Sequence, residues 1–162
     1  QPRRAACRHA ARLPGVKTFS RSRRIRFSDC DPAGIIFYPQ YFVLFNDLVE
    51  EWIDSLLPEG FAGYILRSRF GMPIVHLEAD FMQISRMGDE VVLSLTVTRV
   101  GTRSIDLLLQ CTGADGVARV TARQRLVTTS LETHRSIPIP PELLKKIQPL
   151  VEPAAAAAGA TS

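Results

Sequence analysis

The residues best placed to do chemistry lie in one stretch, Phe27-Ser28-Asp29-Cys30-Asp31-Pro32-Ala33-Gly34-Ile35-Ile36-Phe37-Tyr38-Pro39-Gln40-Tyr41-Phe42. Asp31 is followed by Pro32-Ala33-Gly34, a run that favours a tight turn because Pro withdraws a donor and Gly permits a sharp reversal. From Pro39 a helical pattern begins, and the start of a helix offers unpaired N–H groups and the positive end of a dipole. A turn that brings Asp31 back beside that helix start would join a carboxylate to donors for negative charge. Such a pair suits reaction at an acyl carbonyl, which needs a nucleophile or base at carbon and a donor for the charge growing on oxygen.

The neighbouring groups read differently. Asp29 is expected to be solvated or to cap a strand. Cys30 has no His near it in sequence, and alternation turns its side chain away from Asp31, so it is not read as a nucleophile. Glu50 and Glu51 fall on the polar side of the helix, and His76, between Val75 and Leu77, reads as a packed or pocket-lining histidine. The three cysteines, Cys7, Cys30 and Cys111, show no CxxC spacing, so neither a disulfide framework nor a zinc site is suggested, and no metal is expected.

The elements that must position Asp31 can be read from periodicity. Residues 17–29 alternate loosely and predict a first strand. Phe42, Phe45, Leu48, Val49, Trp52, Ile53 and Leu56 recur every three or four residues, with Asn46, Asp47, Glu50, Glu51 and Asp54 opposite, which predicts an amphipathic helix from Pro39 to before Pro58. Pro39 fits its first turn, where a missing N–H is no loss. A linking stretch runs through Gly71. Strands are then predicted at roughly 72–85, 90–100, 103–112 and 117–130, joined by short Gly-containing turns that make them antiparallel neighbours. In the last strand Arg119, Thr121, Arg123 and Arg125 share one face against Val120, Ala122 and Leu126. A helical turn or two closes residues 140–150. A helix followed by an antiparallel sheet that must cover its apolar side is an α+β layout.

Charge and composition narrow the classes. The chain has 162 residues, 46% of them hydrophobic, with 20 Lys+Arg and 16 Asp+Glu. Residues 1–26 carry nine of the basic residues and no acid, so residues 27–162 hold 11 basic against 16 acidic side chains, a net of −5. The basic pI therefore belongs to one end, and the body gives no ground for a nucleic-acid partner. Apolar runs of four to seven residues, such as Ile35 to Tyr38, fall well short of the roughly 20 that a membrane-spanning helix needs, so no membrane partner is expected. The expected organisation is a flexible basic extension over 1–16, one domain over 17–150 and a disordered Ala-rich tail over 151–162, in a cytoplasmic protein.

Taken as a whole, the string DCDPAGIIFYPQYF resembles the signature of the 4-hydroxybenzoyl-CoA thioesterase family, in the lineage with a catalytic Asp before Pro-Ala-Gly. The helix-then-strands order extends the likeness over about 17–135. The resemblance implies a hotdog fold, in which a long central helix is wrapped by a curved antiparallel sheet of about five strands. It also implies homo-oligomers, a dimer or a dimer of dimers paired edge to edge, with active sites at the subunit interface. By the family's pattern Asp31 is the catalytic carboxylate, as nucleophile or general base, and the backbone N–H of Tyr38 holds the carbonyl oxygen. Thr102, Arg103 and Ser104 stand at the hairpin where the family meets coenzyme A phosphates, although the family's basic run is denser. Asn46 replaces an Asp that the family associates with its aromatic substrate, so the acyl group is left open. Asn46 and His76 are the expected substrate contacts. The implied activity is hydrolysis of an acyl-CoA, aromatic or short-chain aliphatic, with no cofactor beyond the coenzyme A of the substrate. A thioesterase for acyl carrier protein and a non-catalytic acyl-CoA binding module are the alternatives.

Overall fold

The computed structural model describes residues 17–151. The expected basic extension, and all but the first residue of the expected tail, lie outside the described residues. In chain order the elements are β1 (Phe19–Arg24), α1 (Pro39–Leu56), α2 (Gly60–Leu66), β2 (Phe70–Gly71), β3 (Ile74–Phe81), β4 (Glu90–Val100), β5 (Ser104–Gly113), β6 (Ala118–Val127), β7 (Thr129–Ser130) and α3 (Pro141–Ile147). Five strands form one antiparallel sheet in the order β1-β4-β5-β6-β3, and β2 pairs with β7 in a small second sheet.

Strict alternation in β4 and β5 decides which face of the sheet is covered. Val91, Leu93, Leu95 and Val97 of β4 and Ile105, Leu107, Leu109 and Cys111 of β5 are buried, and with Val120, Ala122 and Leu126 of β6 they form the inner face. The buried side of α1, Tyr41, Leu44, Phe45, Leu48, Val49, Trp52 and Ile53, belongs to the same core. Removal of this apolar area from water is the main stabilising contribution, at about 25 cal/mol per Å². Leu143 and Ile147 of α3 join it. Burial pushes the Cys111 thiol up to about 12, so this cysteine is an inert packing group.

Several boundaries differ from the sequence expectation, each for a local reason. β1 stops at Arg24 because Ile25 donates to Asp89 and the chain enters a short 3-10 turn over Phe27–Asp29. That turn leaves Phe27 81% exposed, against the alternation that would have buried it. β3 ends at Phe81, since the N–H groups of Met82 and Gln83 both bond to the Arg119 carbonyl. The stretch that reads as linker holds α2, which at seven residues, with Gly60 and Gly63 inside, is too short to carry a period. Gly60 is required at its start: φ is +67°, and a Cβ there would lie 2.8 Å from Asp54 Oδ1, which accepts from Phe61 N–H. Arg119 departs from the strand's alternation. It is 9% exposed instead of sharing the wet face, because a register shift between Cys111 and Thr112 accompanies a guanidinium bonded to Asp115 at 2.8 Å.

On the outer face, Asp106 accepts two bonds from Arg125, at 2.7 and 2.8 Å, and faces Arg99 at 3.8 Å. The Arg125 hydrogen bonds hold its carboxyl below the usual range. A lowered native value stabilises the fold above the unfolded value and is lost as pH falls through it. Asp106→Asn should therefore lower Tm by about 2 °C at pH 7, as befits a half-exposed partner, with the gap closing below about pH 4. Thermal melts across pH check this; a gap that persists in acid would contradict it.

Candidate active site

The turn at Asp31 folds as a miniature antiparallel ladder. Asp31 N–H donates to Ile35 O at 2.9 Å, Cys30 bridges Ile36, and Phe37 N–H donates to Asp29 O at 2.9 Å. The reversal is closed by Gly34, at φ +74°, whose N–H bonds Asp31 O at 3.0 Å. Asp31 Oδ1 accepts from Ala33 N–H at 2.8 Å, a side-chain bond that fixes the carboxylate to its own turn. Its other oxygen has no protein partner among the described residues. Since Asp29 stands opposite Phe37, Asp31 lies two residues along the ladder, roughly 7 Å, from the level of Phe37, the residue just before the entry to α1.

That entry is Tyr38. It has helical dihedrals, φ −51° and ψ −35°, and its N–H has no partner among the described residues. Pro39 contributes no N–H, so Tyr38 presents a free donor at the positive end of an 18-residue helix. A free carboxylate oxygen and a free amide thus share one short segment, and acyl transfer draws on both kinds of group.

The flanking groups have other tasks. Asp29 Oδ2 accepts from Arg26 N–H at 2.7 Å and caps the 3-10 turn. Cys30 Sγ donates to Arg26 O at 3.3 Å, and desolvation, with the Asp29 and Asp31 carboxylates, pushes its thiol up. A raised thiol is a poor nucleophile. Glu51 is bound by Arg21 at 2.9 Å and by Arg23, and Glu50 is exposed.

Around the turn lies an apolar surface that periodicity did not reveal. Phe37, Tyr38, Phe81, Met82, Ile84 and Met87 are each between 46% and 60% exposed. The Phe81 ring sits 6.1 to 6.2 Å from the rings of Tyr38, Tyr41 and Phe42. Patches of this kind mark surfaces that something else covers.

Comparison with known proteins fits the geometry. A family profile described as the Thioesterase-like superfamily matches residues 25–147. The chain belongs to this superfamily. It is a thioester hydrolase. Similar relatives include a 1,4-dihydroxy-2-naphthoyl-CoA hydrolase of Synechocystis, 25% identical over 125 residues that cover 76% of this chain and 89% of the relative. One of the same name from Nostoc punctiforme is 23% identical over 75% of this chain and 82% of its own. Among solved structures, a thioesterase superfamily member from Jannaschia superposes with a TM-score of 0.78 at 26% identity, over 88% of this chain and 98% of that one. The expected membership is thereby confirmed at the level of the superfamily and its fold. The relatives carry the naphthoyl name and not the 4-hydroxybenzoyl name that the motif suggested.

The thioesterase does not gather all the expected site residues in one place. Asn46 is exposed on α1, eight residues beyond Tyr38. His76 pairs across the sheet with Arg125, and its Nε2 lies 3.1 Å from Glu78 Oε1, which puts it on the face opposite α1. Thr102, Arg103 and Ser104 sit at the β4–β5 hairpin. The segment that contacts the Asp31 turn precedes the other end of β4, so the 11-residue strand separates them by about 34 Å. The hairpin is also tied inward: Arg103 donates to Ser136 O, and Thr102 O accepts from Ile139 N–H. A cavity of about 540 Å³ lined by Leu57, Tyr64, Phe70 and Leu143 lies at the C-terminal end of α1, roughly 27 Å along the helix from Tyr38. It is remote from Asp31. Among the described residues no cluster of three His, Cys, Asp or Glu side chains could hold a metal ion, and no helix is long and apolar enough to cross a membrane.

Proposed function

We propose that this thioesterase hydrolyses an acyl-CoA to a carboxylic acid and free coenzyme A. The observation that carries the reading is that the free oxygen of Asp31 and the unpaired Tyr38 N–H stand on the one turn that leads into α1. Asp31 acts on the thioester carbonyl as nucleophile or as base for water, and the Tyr38 N–H stabilises the oxyanion. The acyl group is aromatic, of the size of a hydroxylated naphthoyl or benzoyl unit. The names of the relatives and the exposed rings of Phe37, Tyr38 and Phe81 support this. Thiol release from 1,4-dihydroxy-2-naphthoyl-CoA, 4-hydroxybenzoyl-CoA and short aliphatic acyl-CoAs tests it. An aromatic kcat/KM at least 10-fold above the aliphatic one is expected. Aliphatic preference would overturn the acyl assignment, and no release from any member would overturn the hydrolase reading.

The working unit is a homo-oligomer, with each site completed by a neighbouring subunit. β3 is an edge strand with an unpaired ladder, and Val75, Leu77 and Phe81 on it are 41% to 58% exposed, a state that soluble proteins seldom leave uncovered. Light scattering should give a dimer or a multiple of it; an active monomer would contradict the proposal. Arg103 serves the coenzyme A phosphates of a neighbour's site, since its own Asp31 is too far. Arg103→Gln should raise KM for acyl-CoA about 5-fold and leave the KM of the matching pantetheine thioester, which lacks the nucleotide, within twofold. Equal increases for both would remove Arg103 from phosphate binding.

A further inference from the structure

We propose that the buried hydrogen bond between Tyr41 and Ser85 is a positioning device that holds the Asp31 turn in register with the start of α1. The claim rests on the thioesterase reading and goes beyond it, because neither residue touches the reacting atoms. Tyr41 lies in the first turn of α1, three residues after the Tyr38 donor, and its hydroxyl donates to Ser85 Oγ at 2.9 Å. Both side chains are shut off from solvent, Tyr41 being 3% and Ser85 0% exposed. With both groups shielded from water, loss of the bond leaves Ser85 Oγ buried without its partner and leaves the Tyr41 hydroxyl only the Ser85 backbone.

Ser85 holds the Asp31 turn as well. Its carbonyl accepts from Ile36 N–H at 3.0 Å, while two residues on Met87 N–H donates to Gly34 O at 3.0 Å and Arg86 bridges Ile35. One end of this segment is fixed to the sheet. Met82 and Gln83 donate to Arg119 O, at 2.9 and 3.2 Å, and the Arg119 guanidinium is itself bound to Asp115. One residue of the 82–89 segment thus grips the carboxylate turn through its backbone and the donor helix through its side chain. The carboxylate and the N–H must meet the same carbonyl, one at carbon and one at oxygen. A misplacement of about 1 Å between such partners can cost about 10²-fold in rate.

The test uses the full chain and the acyl-CoA that the wild type hydrolyses best, with Tyr41→Phe, Ser85→Ala and the double variant. Each single change should lower kcat about 10-fold with KM within twofold. The double variant has no hydroxyl left unpaired, so its Tm should return toward wild type while kcat stays at the level of the singles. A purely structural bond would instead let kcat recover with Tm, and that result, or a double variant within twofold of the wild-type kcat, overturns the proposal. A wild type without thioesterase activity would sink the functional reading alone. Amide exchange would then decide the positioning claim: Ile36 and Met87 N–H groups should exchange at least 10-fold faster in Tyr41→Phe, and unchanged exchange would refute it.

Discussion

Asp31→Asn is expected to lower kcat for thioester hydrolysis by about 10²–10⁴-fold while leaving the fold intact. Asn can still accept the Ala33 N–H that Asp31 Oδ1 holds at 2.8 Å, so the turn keeps its side-chain closure. What disappears is the charge and basicity of the free oxygen. Asn is also a common turn residue, and the backbone bonds from Asp31 to Ile35 and from Gly34 to Asp31 do not involve the side chain. Tm should stay within about 2 °C of wild type, as for other substitutions that break no buried bond. A loss of activity with a matching fall in Tm would point to the turn and not to the chemistry.

Tyr38→Pro probes the other half of the site. The native φ of −51° at Tyr38 lies within reach of the proline ring, and the N–H that the ring deletes serves no bond among the described residues. The expected cost is about 10²–10³-fold in kcat, the usual consequence of losing an oxyanion donor. Tyr38→Ala removes the 60% exposed ring but keeps the N–H, so it should stay at least 10-fold more active than Tyr38→Pro. Equal losses in the two variants would assign the role to the ring. Circular dichroism and melting curves on both variants show that the start of α1 survives.

Elements with strong local signals were legible in the sequence. The three- and four-residue spacing from Phe42 to Leu56 foretold α1, and the period of two in Val91 to Val97 and Ile105 to Cys111 foretold β4 and β5, because burial on one face writes itself into the order of residues. The Asp31 turn was legible too, since Asp-Pro-Ala-Gly carries its own turn chemistry. What escaped were features created by tertiary contact. Ser85 is an unremarkable serine in a loop until Tyr41 and Ile36 both reach it. Arg119 sits where alternation predicts solvent, and only the register shift in β5–β6 and the reach of Asp115 and Gln83 explain its burial. The sequence neighbours of His76, Val75 and Leu77, suggest a packed side chain, whereas its face is set by the cross-strand partner Arg125. The exposed aromatic patch likewise depends on which strand ends at an edge, and no residue spacing reports that.

The most direct test of the role of Asp31 is the release of free thiol from 1,4-dihydroxy-2-naphthoyl-CoA and 4-hydroxybenzoyl-CoA by wild type and Asp31→Asn at equal concentrations of folded protein. Release by the wild type with at least a 10²-fold loss in Asp31→Asn is the predicted result. Equal rates for the two proteins would contradict the assignment of the chemistry to Asp31.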